Sequence, residues 1–220
     1  FDAFETGKRL FPMSISMLAA ALTGPKVAVR FGPRAVVQVG LGAMAIASLV
    51  LVGTIDVTLN GTAFAVSLVF FGIGAGLLMS QLGNVIMSSA PPDDTNEAGG
   101  LQGTAQNLGA SLGTALIGSV LLLGLLNGFN SQIQQDPALS ADVKAQVSKA
   151  TETGIPIVTT DQAYQGLRDA GLSAADATTV TDDYAKAQLN ALKTSMLAVA
   201  FLAVLSIWFA RRLPGKREAA

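Results

Sequence analysis

The chain has 220 residues, of which 50% are apolar, 13% are charged and none is Cys or His, and its formal net charge is −1. Disorder is excluded because it requires low hydrophobicity and high net charge, and the charged fraction is about half of that in an average soluble domain. The absence of Cys and His excludes disulfides, thiolate metal sites and the commonest general base. We therefore expect a membrane protein with no cofactor, no metal site and no nucleic-acid partner.

Five apolar stretches are long enough to cross a bilayer, because a helix that spans about 30 Å of hydrocarbon needs about 20 residues. They cover residues 10–29, 35–54, 62–83, 101–126 and 191–210. The alternative is a soluble protein with buried helices, but such helices do not occur five to a chain with so little charge. We predict an all-α membrane protein in which residues 1–127 form the first four spans.

Basic residues indicate the orientation of the spans, because Lys and Arg accumulate in short cytoplasmic loops. Arg30 and Arg34 lie between the first two spans, whereas the next connection, 55–61, has no basic residue. The fifth span is followed by a run of basic residues: Arg211, Arg212, Lys216 and Arg217. Five spans put both basic regions on the same side, so we expect 191–220 to be the last span with a cytoplasmic tail in the cell membrane. Residues 128–190 are then extracytoplasmic.

The segment 128–190 is polar and rich in Ala, Ser, Thr, Asp and Gln. Ser140, Thr160 and Ser173 each precede a stretch of good helix formers, which is typical of helix N-caps. We predict a polar segment of two or three short helices, the last of which continues into the fifth span. A flexible loop is the alternative.

Small residues four positions apart predict close helix contacts, because they let two backbones approach in lipid. Gly72 with Gly76 and Gly109 with Gly113 have this spacing. We expect all four glycines to pack against neighbouring helices.

Five uncharged polar side chains lie within or at the ends of the third and fourth spans. They are Gln81, Asn84, Gln102, Gln106 and Asn107. Polar groups at membrane depth cost free energy and usually face a cavity or another helix, so they either line a substrate path or bond to neighbouring backbones. At 100° per residue, Gln102, Gln106, Gly109 and Gly113 share one stripe. We expect that stripe to face the interior of a helix bundle, with Gln106 as the best candidate for substrate contact.

Two long stretches have the motifs of a known transporter family. The first is ETGKRLFPMSISMLAAALTGPKVAVRFGPRAVVQVGLG, with an Arg-x-Gly-x-Arg element at Arg30, Gly32 and Arg34. The second is FFGIGAGLLMSQLGNVIMSSAPPDDTNEAGGLQGTAQNLGASLGTALIGSVL, with a Gly-rich span, a Pro-containing loop and a Gln-x-Leu-Gly-x-x-x-Gly helix. In this order they resemble the major facilitator superfamily, most closely the C-terminal part of its fourteen-span drug/proton antiporters of the EmrB/QacA type.

The loop element departs from the family pattern. Val29 stands where the family has an Asp before the Arg, and Pro25 stands at the position of the opening Gly. These departures argue against a charge-relay role for this loop, and leave Arg30 and Arg34 to pair with a helix end or with anionic lipid.

The resemblance implies that the five spans are the tenth to fourteenth of a longer chain, and the sequence begins with Phe1. They would form most of a C-terminal bundle that moves against an N-terminal bundle of the same chain. The implied function is export of a small amphipathic or cationic substrate, with protons as the coupling ion. The alternative is a non-transporting membrane module whose outer segment binds a partner. An enzyme is not expected, because the sequence has neither a phosphate-binding glycine loop nor a nucleophile elbow.

Overall fold

The computed structural model describes residues 3–55, 61–89, 91, 94–151 and 154–213, and these contain helices but no strand. The helices are α1 Ala3–Phe31, α2 Pro33–Thr54, α3 Gly61–Ser89, α4 Thr95–Gln135, α5 Ala141–Thr151, α6 Thr160–Asp169 and α7 Ala174–Ala210. Helices α1, α2, α3, α4 and α7 are long and apolar enough to cross a membrane. The prediction of an all-α membrane protein with five spans is confirmed. Lys216 and Arg217 of the predicted basic tail lie outside the described residues.

Helices α4 and α7 extend well beyond the apolar runs that predicted them. They have 41 and 37 residues, or about 60 and 55 Å at about 1.5 Å per residue, against a hydrocarbon core of about 30 Å. The boundary predicted after residue 127 therefore falls inside α4. An apolar run indicates where contact with lipid ends. A helix continues beyond that point when its next turns pack against other parts of the protein.

The chain forms two compact units, which we call unit 1 and unit 2. Unit 1 comprises Phe1–Ala115 with Met196–Ala220, and unit 2 comprises Leu116–Ser195.

In unit 1, α3 packs on both α1 and α2 through alternate glycines of one Gly-Ile-Gly-Ala-Gly run. A Cβ added at Gly72 would lie against the Met13 carbonyl of α1, and one at Gly76 against the Met17 carbonyl. A Cβ at Gly74 would instead meet the backbone of α2 at Gly40. Positions two apart on a helix are about 200° apart, so one glycine-rich turn of α3 contacts both neighbours.

The contacts also fix the direction of these helices. Further along α3, Ser80 lies against Gly24, so the contact positions on α1 and α3 increase together and the two helices are parallel. This is the arrangement that two spans separated by a third require.

Unit 2 has its own apolar core between the second half of α4 and the first half of α7, covered by α5 and α6. Its fully or nearly fully buried side chains include Leu125, Phe129, Ile133, Leu139, Val147, Leu172, Val180 and Tyr184. The rings of Phe129 and Tyr184 meet edge to face at 5.8 Å. The predicted short helices are therefore present, and the flexible-loop alternative is wrong for the described part of this segment.

Three polar residues cap the helices of unit 2. Ser140 Oγ accepts a hydrogen bond from Val143 N at 3.3 Å, and Ser173 Oγ accepts one from Asp176 N at 3.1 Å. The N-cap of α6 is Thr159, one residue earlier than predicted. Thr159 is preferred because its hydroxyl and the Gln162 side chain form a reciprocal capping box.

Candidate functional site

A chain of hydrogen-bonded polar side chains runs along the end of α3. Asn84 Nδ2 donates to Gln81 Oε1 at 3.5 Å, and Gln81 Nε2 donates to Ser80 Oγ at 3.1 Å. Ser80 in turn donates to the Leu77 carbonyl at 2.8 Å. Gln81 is 0% exposed, and its amide is hydrogen-bonded to Ser80 and Asn84. The side chain therefore presents no accessible surface to a ligand.

The polar chain lies at a close contact between α1 and α3. A Cβ at Gly24 would collide with the Ser80 side chain and lie 3.6 Å from Gln81 Nε2. On the other side, Gln102 Nε2 of α4 would lie 3.9 Å from a Cβ at Gly83. Three of the five predicted pathway residues, Gln81, Asn84 and Gln102, are therefore close to the same turns of α3.

The other two predicted pathway residues, Gln106 and Asn107, are exposed on α4. A Cβ added at Gly109 or Gly113 would have no atom within 4 Å. Within the described residues these two glycines therefore have no packing neighbour, in contrast to Gly72 and Gly76. We call the stripe of Gln106, Gly109 and Gly113 the α4 face; Gln106 and Gly109 are exposed and Gly113 is half-buried.

The α4 face offers a specific recognition chemistry. The Gln106 amide both donates and accepts hydrogen bonds without carrying charge. The two glycines leave the helix backbone open to close approach by a helix or a flat ligand. A polar group on a membrane helix is costly when it faces lipid, so this stripe suits contact with a polar cavity or another helix.

The loop element between α1 and α2 is a one-residue turn. Gly32 is buried with φ 85°, in the left-handed region that favours glycine. Its N–H donates to the Ala28 carbonyl at 2.8 Å, and α2 begins at Pro33, whose ring presets the first helical turn. Arg30 lies over the Phe31 ring at 5.6 Å, and Arg34 is half-buried. The turn thus requires a glycine at this position because of its backbone conformation.

The sequence reasoning missed a ladder of small residues on α1. Its members are all buried and recur every four positions, with the last one at the turn that follows α1: Ser16, Ala20, Gly24, Ala28 and Gly32. The spacing rule that selects Gly72 and Gly76 also selects these positions when serine and alanine are counted as small residues.

Within the described part of the chain, no three acidic side chains come together as a metal-ligand set.

Comparison with known proteins identifies a matching family and a similar curated protein. The family model of the Major Facilitator Superfamily matches residues 1–127, more than half of the chain. The tetracenomycin C resistance and export protein of Streptomyces glaucescens is 33% identical over 117 residues, which is 53% of this chain. That match covers only 22% of the length of the Streptomyces protein. On the extent of the family match, the chain is a multi-pass membrane protein that belongs to the major facilitator superfamily.

Proposed function

We propose that the chain is the C-terminal part of a secondary active exporter that expels small amphipathic or cationic compounds in exchange for protons. The observation that carries the proposal is the family match together with the relative named for drug resistance and export. Proton coupling and the fourteen-span, EmrB/QacA-type architecture rest on the resemblance of the sequence motifs.

The α4 face supplies the proposed substrate contact. Gln106 is exposed beside two open glycines, so its amide can bond a polar group of the substrate while an aromatic ring lies on the bare backbone. Gln81 is a poorer candidate than its sequence position suggested, because it is fully buried and already hydrogen-bonded. In our proposal Gln81 holds α3 in place, and Gln106 faces the N-terminal bundle across the substrate path.

The proposed orientation follows from the basic residues. Arg30 and Arg34 flank the α1–α2 turn and Arg211 and Arg212 follow α7, which favours a cytoplasmic location in the cell membrane for both. The α5–α6 segment of unit 2 is then extracytoplasmic.

A second candidate function is a membrane module whose outer segment binds a partner without transport. Unit 2 favours it, since this segment has an apolar core of its own beyond what a connecting loop needs. The two candidates differ in whether the intact protein moves a compound across the membrane.

Transport by the full-length protein with and without a proton gradient tests the proposal. Inside-out vesicles containing it should accumulate a fluorescent cationic dye when their interior is acidified. Collapse of the gradient with a protonophore should abolish the accumulation. Accumulation that persists after collapse would exclude proton coupling, and no accumulation of any of a panel of amphipathic cations would favour the non-transporting module.

A further inference from the structure

Unit 2 contains a buried carboxyl group that the transport proposal does not use. Asp183 lies on α7 and is 3% exposed. It is two turns before Ala191, and the uncharged run that can lie in lipid begins only after Lys193. Asp183 therefore lies outside the membrane-spanning part of α7.

The two oxygens of Asp183 differ in their surroundings. Oδ1 accepts a hydrogen bond from Lys186 Nζ at 3.2 Å, but that lysine side chain is 61% exposed, so water screens most of its charge. Oδ2 is inaccessible and has no hydrogen-bond partner in the described structure. An unpaired carboxylate oxygen in a buried site costs free energy, which leaves a place for a positive ligand.

Asp183 opens onto a small surface depression of about 310 Å³ that also contains a second carboxyl group. Its lining residues are Ser131, Gln132, Gln135, Asp136, Pro137 and Asp183. Asp136 directly follows α4, and its Oδ1 accepts the Ala138 N–H at 2.7 Å. The depression thus brings together one carboxyl group from the end of α4 and one from α7.

Two ionised carboxylates that line one partly shielded depression are unfavourable together, because they repel each other. Burial raises the pKa of Asp183 above its ordinary value, the Lys186 ammonium opposes this rise, and the Asp136 carboxylate adds to it. Another cation of unit 2, Lys144 of α5, donates to the Gln134 carbonyl at 3.0 Å. Asp182, the next acidic residue on α7, is exposed.

We propose that Asp136 and Asp183 form a proton-binding carboxyl pair that joins the end of α4 to α7. One proton taken from solvent occupies the unpaired oxygen of Asp183, and the resulting O–H group donates a hydrogen bond to the Asp136 carboxylate. The proton removes one charge from the buried site and replaces a repulsion by a hydrogen bond. An O–H bond of a solvent hydronium ion breaks as the O–H bond of Asp183 forms, and no other covalent bond changes.

The sign of the pH effect follows from the raised pKa of Asp183. Ionisation of Asp183 is harder in the folded state than in the unfolded state, so its cost is fully present above the folded-state pKa. The cost disappears as the pH falls through the folded-state pKa towards the ordinary value for aspartate. Mild acid should therefore increase the stability of unit 2.

Infrared difference spectra of the full chain in detergent, recorded as the pH is lowered, test the pair. The carbonyl stretch of a protonated carboxyl group should appear at a pH above that of an ordinary aspartate, and Asp183→Asn should remove this component. Asp136→Asn replaces the like charge with an amide donor, so the Asp183 component should move to lower pH by about one unit. The matched control is Asp182→Asn on the adjacent exposed residue, which should leave the component unchanged.

Two results would overturn the proposal. One is a spectrum of Asp183→Asn, or of Asp136→Asn if the first variant does not fold, that titrates as the parent chain does. The other is loss of the protonated-carboxyl signal when Ca²⁺ is added to the parent chain at the titration midpoint, with a gain in thermal stability, since that would identify a metal site built from the same oxygen ligands.

Discussion

Glycine plays two different roles in the long helices, and its surroundings rather than its spacing decide which. Gly72 and Gly76 lie against carbonyl groups of α1, where no side chain fits. Gly109 and Gly113 have the same spacing on α4, yet a Cβ at either would meet no atom within 4 Å. The first pair holds unit 1 together, and the second leaves a stretch of backbone open.

Alanine substitutions should separate these roles. Gly76→Ala places a Cβ against the Met17 carbonyl, and because backbone cannot move aside cheaply, we expect a loss of about 1–3 kcal/mol in stability. Gly109→Ala, the matched control, should be neutral or stabilising by up to about 1 kcal/mol, since alanine is the better helix former. Thermal unfolding of the two variants in detergent measures the difference, and equal midpoints would contradict the packing described for α1 and α3.

The amide side chains show the same division. Gln81 is buried in a hydrogen-bonded chain, and Gln106 is exposed. From the sequence they belong to one class, polar residues near the ends of spans. The sequence does not indicate which neighbour each one meets, because that depends on how α1 and α3 pack.

At the scale of the elements, the part of α7 that precedes its apolar run organises unit 2. Tyr184 connects this helix to the chain between α5 and α6. Its hydroxyl donates to the Pro156 carbonyl at 2.8 Å, and accepts from Val158 N at 3.0 Å and from Gln188 Nε2 at 2.8 Å. One phenol oxygen thus fixes a segment that has no regular structure of its own.

Tyr184→Phe should loosen that segment without disturbing the helices. Removal of the hydroxyl leaves a partly buried carbonyl and N–H without their partner, at a cost of about 1–3 kcal/mol. Limited proteolysis within 154–158 should accelerate about tenfold for each 1.4 kcal/mol. The control is Tyr164→Phe, the other tyrosine of the chain, whose hydroxyl makes no hydrogen bond among the described residues. Equal cleavage rates for both variants would contradict this role of Tyr184.

For the whole molecule, the sequence predicted what depends on composition and local spacing. Long apolar runs predicted the five spans, and Ser140 and Ser173 predicted two of the helix starts. The predicted fourth span ends at residue 126, whereas α4 continues to Gln135 because the turns that follow its apolar run pack inside unit 2. The continuation of the helix after Ser173 into the fifth span was predicted from the sequence. The carboxyl pair of Asp136 and Asp183 joins residues far apart in the chain, and no local pattern indicates such a contact.

At the scale of the whole molecule, the α4 face is the proposed lining of a substrate path. In our proposal Gln106 faces the path, whereas Ser111 lies on the opposite side of α4, about 140° away in projection at 100° per residue. Both residues are exposed in the described structure. Neither packing nor burial in this chain therefore favours one over the other.

Thiol labelling of the full-length protein at these two positions is the most direct measurement. The segment itself contains no cysteine, so Gln106→Cys and Ser111→Cys each add a single thiol to it. A water-soluble thiol reagent should react with the variant at Gln106, and the transported dye should slow that reaction. The variant at Ser111, which faces lipid in this account, should react slowly with or without dye. Faster, dye-protected labelling at Ser111 than at Gln106 would contradict the claim.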